Sequence, residues 1–412
     1  MIYLNHAATT YPKPQVVQEA VARSIQEPPQ SQYRGVAGSV YGEDVGKLCR
    51  ENLARLFHIR EPKRIFFTSG STQALNMAIL GLPYPLKGGG ALQGTEAAAG
   101  GSRQQGTEKR GGRRRIVFTA AEHNAVLRTI YDGLREKIAD GSVMPVVVPC
   151  DRSGYVDMES MEQAITEDTA LVIVNHSSNV TGAVQDIARI GSWARQKGAY
   201  FLVDASQSAG ALPIDVEAAG IHMLAFTGHK GLYGIEGTGG LYVEPGIILR
   251  PLVYGGTGTD SATLVPGEPF YEVGTMNQPG IAALCAGTRF ILEVGLEQVM
   301  AWEQALVKRL YEGLRAIKGV TVYGDRQPEG TAVSFNLEGL SPADVGYILA
   351  GSYKIQVRTG LHCAPLLHEC LGTQGQGTVR ASISYLSKEE DVEALLGAVR
   401  ELMGETRQQE NP

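Results

Sequence analysis

A lysine stands in a glycine-rich turn, Gly228-His229-Lys230-Gly231, with Gly234, Gly237, Gly239 and Gly240 close behind it. A lysine amine that has lost its proton bonds covalently to an aldehyde. Taken alone, such a residue reads more simply as an exposed loop lysine. Upstream, Asp204 ends the apolar run Tyr200–Val203. A carboxylate there pairs with a protonated pyridine nitrogen and keeps the ring an electron sink, and it serves equally as a cap for the next helix. Ser69-Gly70-Ser71-Thr72-Gln73 follows one apolar run and opens a helical one. Free backbone N–H groups at a helix start cradle a phosphate, and ordinary capping has the same appearance. Glu122-His123-Asn124-Ala125 puts an imidazole just past another apolar run, where it stacks on an aromatic ligand or merely starts a helix. Asn179 lies in the turn His176-Ser177-Ser178-Asn179-Val180-Thr181-Gly182, a common setting for Asn. Each signal is modest alone. What joins them is their shared place at the ends of apolar strands.

Those strands alternate with helices. Strands are expected over Arg64–Thr68, Ile116–Thr119, Val143–Val148, Leu171–Asn175, Tyr200–Val203, His222–Phe226 and Gly239–Val243, and helices over Ser71–Leu82, Asn124–Lys137, Met158–Ile165 and Ile187–Gln196. Leu171–Asn175 is nearly all apolar, as a strand covered on both faces should be. The alternation argues for βαβ units and a mostly parallel sheet, whose ligands bind outside the carboxyl ends of the strands. After about residue 260 the rhythm changes. Helices over Ile281–Val294, Gln298–Ile317, Pro342–Ala350 and Lys388–Leu402 mix with strands at Val320–Val322, Ala332–Asn336 and Thr378–Ser382. That is a smaller α+β unit, with the boundary in the 250–280 region.

The rest of the chain narrows the classes. It has 412 residues, 43% of them hydrophobic, and a net charge of −6. That suits two domains with a sizeable core and gives no reason to expect nucleic acid or an anionic membrane as partner. The start, Met1-Ile2-Tyr3-Leu4-Asn5-His6, lacks the features of a signal peptide, and no apolar run nears the ~20 residues of a membrane helix; a cytoplasmic location is expected. Five widely spaced cysteines, Cys49, Cys150, Cys285, Cys363 and Cys370, do not form a disulfide framework. No CxxC pair or His/Cys cluster has zinc-ligand spacing apart from a loose local group, His362, Cys363, His368 and Cys370, where a metal site is the lesser alternative; no metal is expected. No GxGxxG follows a first strand, which argues against a nicotinamide dehydrogenase. Residues 87–114, rich in Gly, Ala, Gln and charge, read as a mobile low-complexity insertion, and 405–412 as a frayed tail.

Cradle, His, Asn, carboxylate and Lys in that order resemble the class V aminotransferase family of fold-type I pyridoxal-phosphate enzymes, and within it a group II-like branch of cysteine desulfurases and selenocysteine lyases. The resemblance runs from Tyr3-Leu4-Asn5-His6-Ala7-Ala8-Thr9-Thr10 to the last helix and leaves out only 87–114. It implies an α/β fold: a large domain at 15–260 with a mostly parallel seven-stranded sheet, a small α+β domain at 261–404, and an N-terminal segment, 1–14, packing with the small domain. It implies pyridoxal 5'-phosphate as cofactor. Lys230 would be the Schiff-base lysine, Asp204 the partner of the pyridine nitrogen, Gln207 the partner of the ring hydroxyl, and His123 the residue stacked on the ring. Ser71, Thr72, Thr227 and His229 would hold the phosphate, with Asn179 beside the ring hydroxyl and the substrate carboxylate. The family completes its site across a homodimer; the matching segment Phe270-Tyr271-Glu272-Val273-Gly274-Thr275 makes Thr275 the contact from the second subunit.

Arg358-Thr359-Gly360-Leu361-His362-Cys363-Ala364-Pro365 resembles the group II desulfurase signature. A thiolate attacks a substrate sulfur by the step used in thiol–disulfide exchange, and Arg358 and His362 supply nearby positive charge. Arg380 matches the arginine that binds the substrate carboxylate, which a guanidinium clamps through two hydrogen bonds. The implied reaction takes sulfur from L-cysteine onto Cys363 as a persulfide, releases alanine, and passes the sulfur to an acceptor such as an iron–sulfur scaffold. Lys230 takes the Cα proton, and His123 relays protons. Asn5-His6-Ala7-Ala8 departs from the more usual acidic start of this group. Selenocysteine lyase, cysteine sulfinate desulfinase and aminotransferase stay open as alternatives, as does a non-catalytic sulfur carrier on the same scaffold.

Overall fold

The computed structural model describes residues 1–27, 44–87, 112–257, 262–266 and 269–404. The chain opens with β1 (Ile2–Tyr3), α1 (Gln15–Gln26), α2 (Val45–Phe57), β2 (Ile65–Thr68) and α3 (Ser71–Gly81). Then come β3 (Leu86–Lys87), β4 (Gly112–Arg113), β5 (Arg115–Thr119), α4 (Asn124–Arg128), α5 (Arg135–Ala139), β6 (Met144–Val148), α6 (Met158–Ala164) and β7 (Thr169–Asn175). The middle closes with α7 (Ile187–Gln196), β8 (Tyr200–Asp204), β9 (Met223–Thr227) and β10 (Gly239–Val243). After it follow α8 (Gln278–Val294), α9 (Leu296–Arg315), β11 (Val320–Tyr323), β12 (Ala332–Leu337), α10 (Pro342–Ser352), β13 (Ile355–Gln356), β14 (Arg358–Gly360), α11 (Pro365–Leu371), β15 (Thr378–Ser382) and α12 (Glu389–Leu402).

Seven strands form the large sheet in the order β2-β10-β9-β8-β7-β5-β6. The neighbours from β9 to β6 are parallel, and only β10 runs against both of its neighbours. The expected α/β class and seven-stranded sheet are what the structure contains. Side chains alternate across the sheet. Val172 and Val174 of β7 join one core with Phe201, Val203 and Phe226. Leu171 and Ile173 join the other core with Ile116, Phe118 and Leu202. Both faces are therefore covered, which is why β7 is buried at every position and reads as an unbroken apolar run. Since β2 and β9 are both antiparallel to β10, the carboxyl ends of β2, β5, β7, β8 and β9 lie on one edge of the sheet.

Phe226 is fully buried one residue before the end of β9, its ring 5.4 Å from that of Phe57. Phe226→Ala is expected to cost about 3–5 kcal/mol of stability, read by denaturant unfolding; a loss below about 1 kcal/mol would contradict the packing described.

A second sheet, β11-β12-β15-β14, packs with α9, α10 and α12 around Val333, Phe335, Leu349, Val379 and Leu395. Leu4 of the N-terminal segment is buried in this core, because β1 pairs with β13 and Ser382 donates its N–H to the Leu4 carbonyl. α8 and α9 meet at an 85° bend at Gly295, whose φ of 92° favours glycine. Among the described residues, no single helix is long and apolar enough to cross a membrane.

Several boundaries differ from the sequence reading. The helical run expected over Asn124–Lys137 is broken into α4, a wide turn at Thr129–Gly133, and α5. The Thr129 hydroxyl donates back to the Ala125 carbonyl at 2.6 Å, and such back-bonding bends helices; Gly133 adds poor helix propensity. The insertion is shorter than the 87–114 expected, because β3 pairs with β4 and so joins residues 86–87 to 112–113. Its remainder, 88–111, and the tail 405–412 lie outside the described residues. Helices α1, α2 and α11 and strands β1, β13 and β14 went unassigned from sequence.

Candidate active site

Seven of the sequence candidates are set by the shared strand edge. β8 ends at Asp204, which is buried and accepts hydrogen bonds at Oδ1 from the Ser206 backbone N–H (2.9 Å) and hydroxyl. β9 ends at Thr227, and Lys230 follows in a turn closed by Gly234 N–H donating to the Gly228 carbonyl at 2.8 Å. β5 leads to His123, whose Nδ1 accepts from Ala125 N–H at 3.0 Å and so caps α4. β7 leads to Asn179. β2 leads to Gly70 and the start of α3, where no side chain caps the helix. The first N–H groups there, with Ser71 and Thr72, stay open to an anion.

Lys230 is half-buried. Burial pulls its amine from the ordinary 10.5 down to about 8; Arg380 and Arg358 press in the same direction, and Asp204 and Cys363 oppose it. The His123 imidazole is likewise held below its ordinary value, first by burial and then by Lys230 and Arg358, against the pull of Asp204. Lys230 is thus influenced by Asp204, Arg380, Arg358 and Cys363, and His123 by Asp204, Lys230 and Arg358. Asp204 is the carboxylate among them.

The segment carrying Cys363 crosses from the small sheet to this edge. Cys363 donates no side-chain bond here, but its carbonyl accepts from Asn124 N–H at 2.7 Å, next to His123. One residue earlier, the His362 carbonyl accepts from Asn179 Nδ2 at 2.6 Å. His362 and Cys363 both have positive φ, 47° and 61°, an uncommon backbone for non-glycine residues held by those two bonds. The His362 ring is buried: Nε2 lies 3.0 Å from Thr378 Oγ1, Nδ1 has no partner, and burial with the nearby arginines drives its basicity far down. It is therefore neutral, and the positive charge near Cys363 comes from Arg358 and Arg380, not from His362 as the sequence suggested. Among the described residues no cluster of three or more His, Cys, Asp or Glu could hold a metal ion, and all five cysteines are free.

Arg380, on β15, is buried. Its Nη1 donates to the Asn179 carbonyl at 2.8 Å and its Nη2 to Asn5 Oδ1 at 3.0 Å, while Nε finds no partner. Arg358 stands directly opposite it in the β14–β15 pair. Gln207 is half-buried, and its Nε2 donates to the Ala7 carbonyl at 3.0 Å. Thr227 is buried, its hydroxyl 3.5 Å from the Thr238 carbonyl. The His229 ring leaves Nδ1 unpartnered, and its pKa falls to about 4, chiefly through burial. Thr275 is exposed on the stretch before α8, and no hydrogen bond joins it to the other candidates within one chain.

Sequence reasoning missed two features. Glu122 is wholly buried; its Oε1 accepts from Thr119 Oγ1 (2.7 Å) and Asn175 N–H (2.8 Å), and burial raises its pKa to about 8. It ties the ends of β5 and β7 together, and its position just before His123 was the available signal. The other is an N-terminal strap. Thr10 N–H and Lys13 Nζ donate to the His229 carbonyl (3.0 and 2.8 Å), and Thr10 Oγ1 donates to the Lys230 carbonyl (2.8 Å). The strap thus fixes the backbone of the lysine turn from a distance of about two hundred positions in sequence, which local patterns do not reveal.

A model of the family described as Aminotransferase class-V matches residues 2–98 and 94–395. The chain is 33% identical to a "Probable cysteine desulfurase" from Methanothermobacter thermautotrophicus, over 98% of this chain and 95% of that protein. Among solved structures it superposes with TM-score 0.78 on the apo cysteine desulfurase from Thermococcus onnurineus NA1, at 30% identity, covering 98% of this chain and 95% of the other. The cysteine desulfurase CsdA from Escherichia coli also gives TM-score 0.78, at 26% identity and coverage of 98% and 94%. The residue order, the strand-edge site and these relatives agree: the chain belongs to the class-V aminotransferase family.

Proposed function

We propose that the chain is a pyridoxal-phosphate-dependent cysteine desulfurase that converts L-cysteine to L-alanine and keeps the sulfur as a persulfide on Cys363. The observation that carries this reading is the tethering of the Cys363 loop to the strand edge that bears Asp204 and Lys230: the Cys363 carbonyl accepts from Asn124 N–H beside His123, and the His362 carbonyl accepts from Asn179, to which Arg380 also donates. The residues fit the cofactor. An uncapped helix start at α3 and unpartnered atoms on His229 and Asn179 await polar groups. In this proposal Ser71, Thr72, Thr227 and His229 hold the phosphate, with Thr275 added from a second copy. His123 would stack on the ring, Asp204 would pair with the ring nitrogen, Gln207 with the ring hydroxyl, and Lys230 would bond the aldehyde. Bound there, the cofactor supplies an electron sink for carbanion chemistry.

The chain's own groups do the rest. Arg380 and Asn179 orient the substrate carboxylate. The Lys230 amine, neutral above about pH 8, would take the Cα proton, and His123 would move protons beside it. Cys363 thiolate attacks the substrate sulfur: a sulfur–sulfur bond forms, the carbon–sulfur bond breaks, and its electron pair stays with carbon, which ends as the methyl of alanine. The proposal includes a large domain at 15–260, a small one at 261–404, a cytoplasmic homodimer, and a sulfur-acceptor partner serving iron–sulfur assembly. Val253, Tyr254, Leu264 and Val265 are exposed apolar side chains on the stretch that leads to Thr275, which supports a covered face there.

The test supplies the cofactor-loaded protein with L-cysteine and a reductant and measures alanine and sulfide. Equal amounts of both are expected. Turnover of selenocysteine without turnover of cysteine would favour the lyase reading. A second expectation follows from the lowered basicity of Lys230. Below about pH 8 its amine is protonated and unreactive toward an aldehyde; above, it is neutral. The rate at which the apoprotein takes up pyridoxal phosphate, followed by absorbance, should therefore rise through a midpoint near 8, and a midpoint near the ordinary lysine value would contradict the burial described.

A further inference from the structure

Glu303, on α9, is a buried carboxyl that takes no part in the chemistry at Lys230 and Cys363. Its Oε1 lies 3.5 Å from the Tyr233 hydroxyl, and its Oε2 has no partner. The Tyr385 N–H donates to that hydroxyl at 3.2 Å and also serves the carboxyl. Among the described residues no cation pairs with Glu303, and burial raises its pKa to about 8. A buried carboxyl without a cation keeps its proton, so Glu303 meets Tyr233 as a neutral acid.

Three segments join at this carboxyl. Tyr233 belongs to the lysine turn, and its N–H donates to the Lys230 carbonyl at 2.9 Å. Its φ is 59°, a conformation that a bulky residue rarely adopts and keeps only where its surroundings hold it. The ring supplies that hold. It is wholly buried, edge-on to Phe290 of α8 at 5.5 Å, and its hydroxyl reaches Glu303. Tyr385 follows β15, the strand that carries Arg380. Trp302, beside Glu303, fixes that loop by donating from Nε1 to the Ser387 carbonyl at 3.1 Å. The rest of α9 packs on the small sheet through Leu306, Val307 and Leu310. The carboxyl therefore sits where a helix and a loop of the small sheet close on the backbone that carries the lysine.

We infer that Glu303 is a positioning residue for Lys230: through Tyr233 and Tyr385 it locks α9 and the loop after β15 onto the lysine turn, and so keeps the Lys230 amine out of water. This rests on the reading of Lys230 as the amine that bonds the aldehyde. The amine itself reports the lock. Burial is the first cause of its lowered basicity; Arg380 of β15 and Arg358 of β14 add to it, Asp204 and Cys363 oppose it, and His123 and His229 feel its charge. A change at Glu303 alters none of these groups. With the lock released, the amine gains water and moves from about 8 back toward 10.5.

The test follows uptake of pyridoxal phosphate by the apoprotein against pH in wild type, Glu303→Gln, Glu303→Ala and Tyr233→Phe, with Tm for each. Glu303→Ala and Tyr233→Phe should raise the midpoint of uptake by at least about one pH unit. Glu303→Gln, which keeps a neutral group of the same shape, should keep the wild-type midpoint. A role confined to stability would lower Tm and leave the midpoint alone. An unmoved midpoint in Glu303→Ala therefore overturns the inference, as does an equal rise in Glu303→Gln. If Glu303→Ala fails to fold, Tyr233→Phe decides in its place, because it removes one hydroxyl and keeps the ring. A wild type without a midpoint near 8 removes the reading of Lys230 and the inference with it. A wild type with that midpoint, matched by the variants, removes the inference alone.

Discussion

Lys230→Ala is expected to lose the yellow colour of covalently held pyridoxal phosphate and to lose desulfurase activity by about 10²–10⁴-fold or more. Both effects have one origin. The turn that carries Lys230 is fixed by Thr10 and Lys13 from one side and by Gly234 from the other, so the alanine leaves the turn in place without its amine. Lys13, the lysine that binds the same turn, donates to the His229 carbonyl at 2.8 Å and is committed to that bond. An alanine leaves the cradle at α3 and the carboxylate of Asp204 in place. Pyridoxal phosphate should then still bind, more weakly, with the absorbance of the free aldehyde. A variant that keeps both the colour and the activity would show that a different amine does the chemistry. Circular dichroism and Tm should stay near wild type, because removing a buried amine also removes its desolvation cost.

Cys363→Ser is expected to keep the colour and lose alanine and sulfide formation from L-cysteine, on the order of 10³-fold or more, as when a covalent nucleophile is removed. The hydroxyl is close in size, and the backbone at 363 is held by the bond from its carbonyl to Asn124, so the loop should keep its shape. What is lost is the sulfur nucleophile that attacks the substrate's sulfur. The substrate amine should still displace Lys230, so the absorbance change on adding L-cysteine should persist without turnover. A variant as active as wild type would place the chain with the lyases or transaminases.

Much of this site was legible in the sequence because its parts are local. Ser71, His123, Asn179, Asp204 and Lys230 each follow an apolar run, and in a parallel sheet such positions share an edge. The β7 run, buried throughout, could be read from composition alone. What escaped depends on contacts between distant positions. Asn5 meets Arg380 across 375 residues, and the Thr10 contact with the lysine turn spans 220; no periodicity encodes either. Charge was also misjudged where burial decides it. His362 looked like a source of positive charge beside Cys363, yet burial first, and then Arg380 and Arg358, keep it neutral. The broken helix after Asn124 escaped because the apolar spacing continues through the Thr129 back-bond.

The most direct measurement of the central claim is mass spectrometry of the cofactor-loaded protein after L-cysteine is added without a reductant. One added sulfur atom, mapped to the peptide that holds Cys363, with one alanine released for each sulfur bound, is the predicted result. Alanine release with no sulfur on Cys363, or sulfur mapped to Cys370 in a protein whose Cys363 stays unmodified, would contradict it.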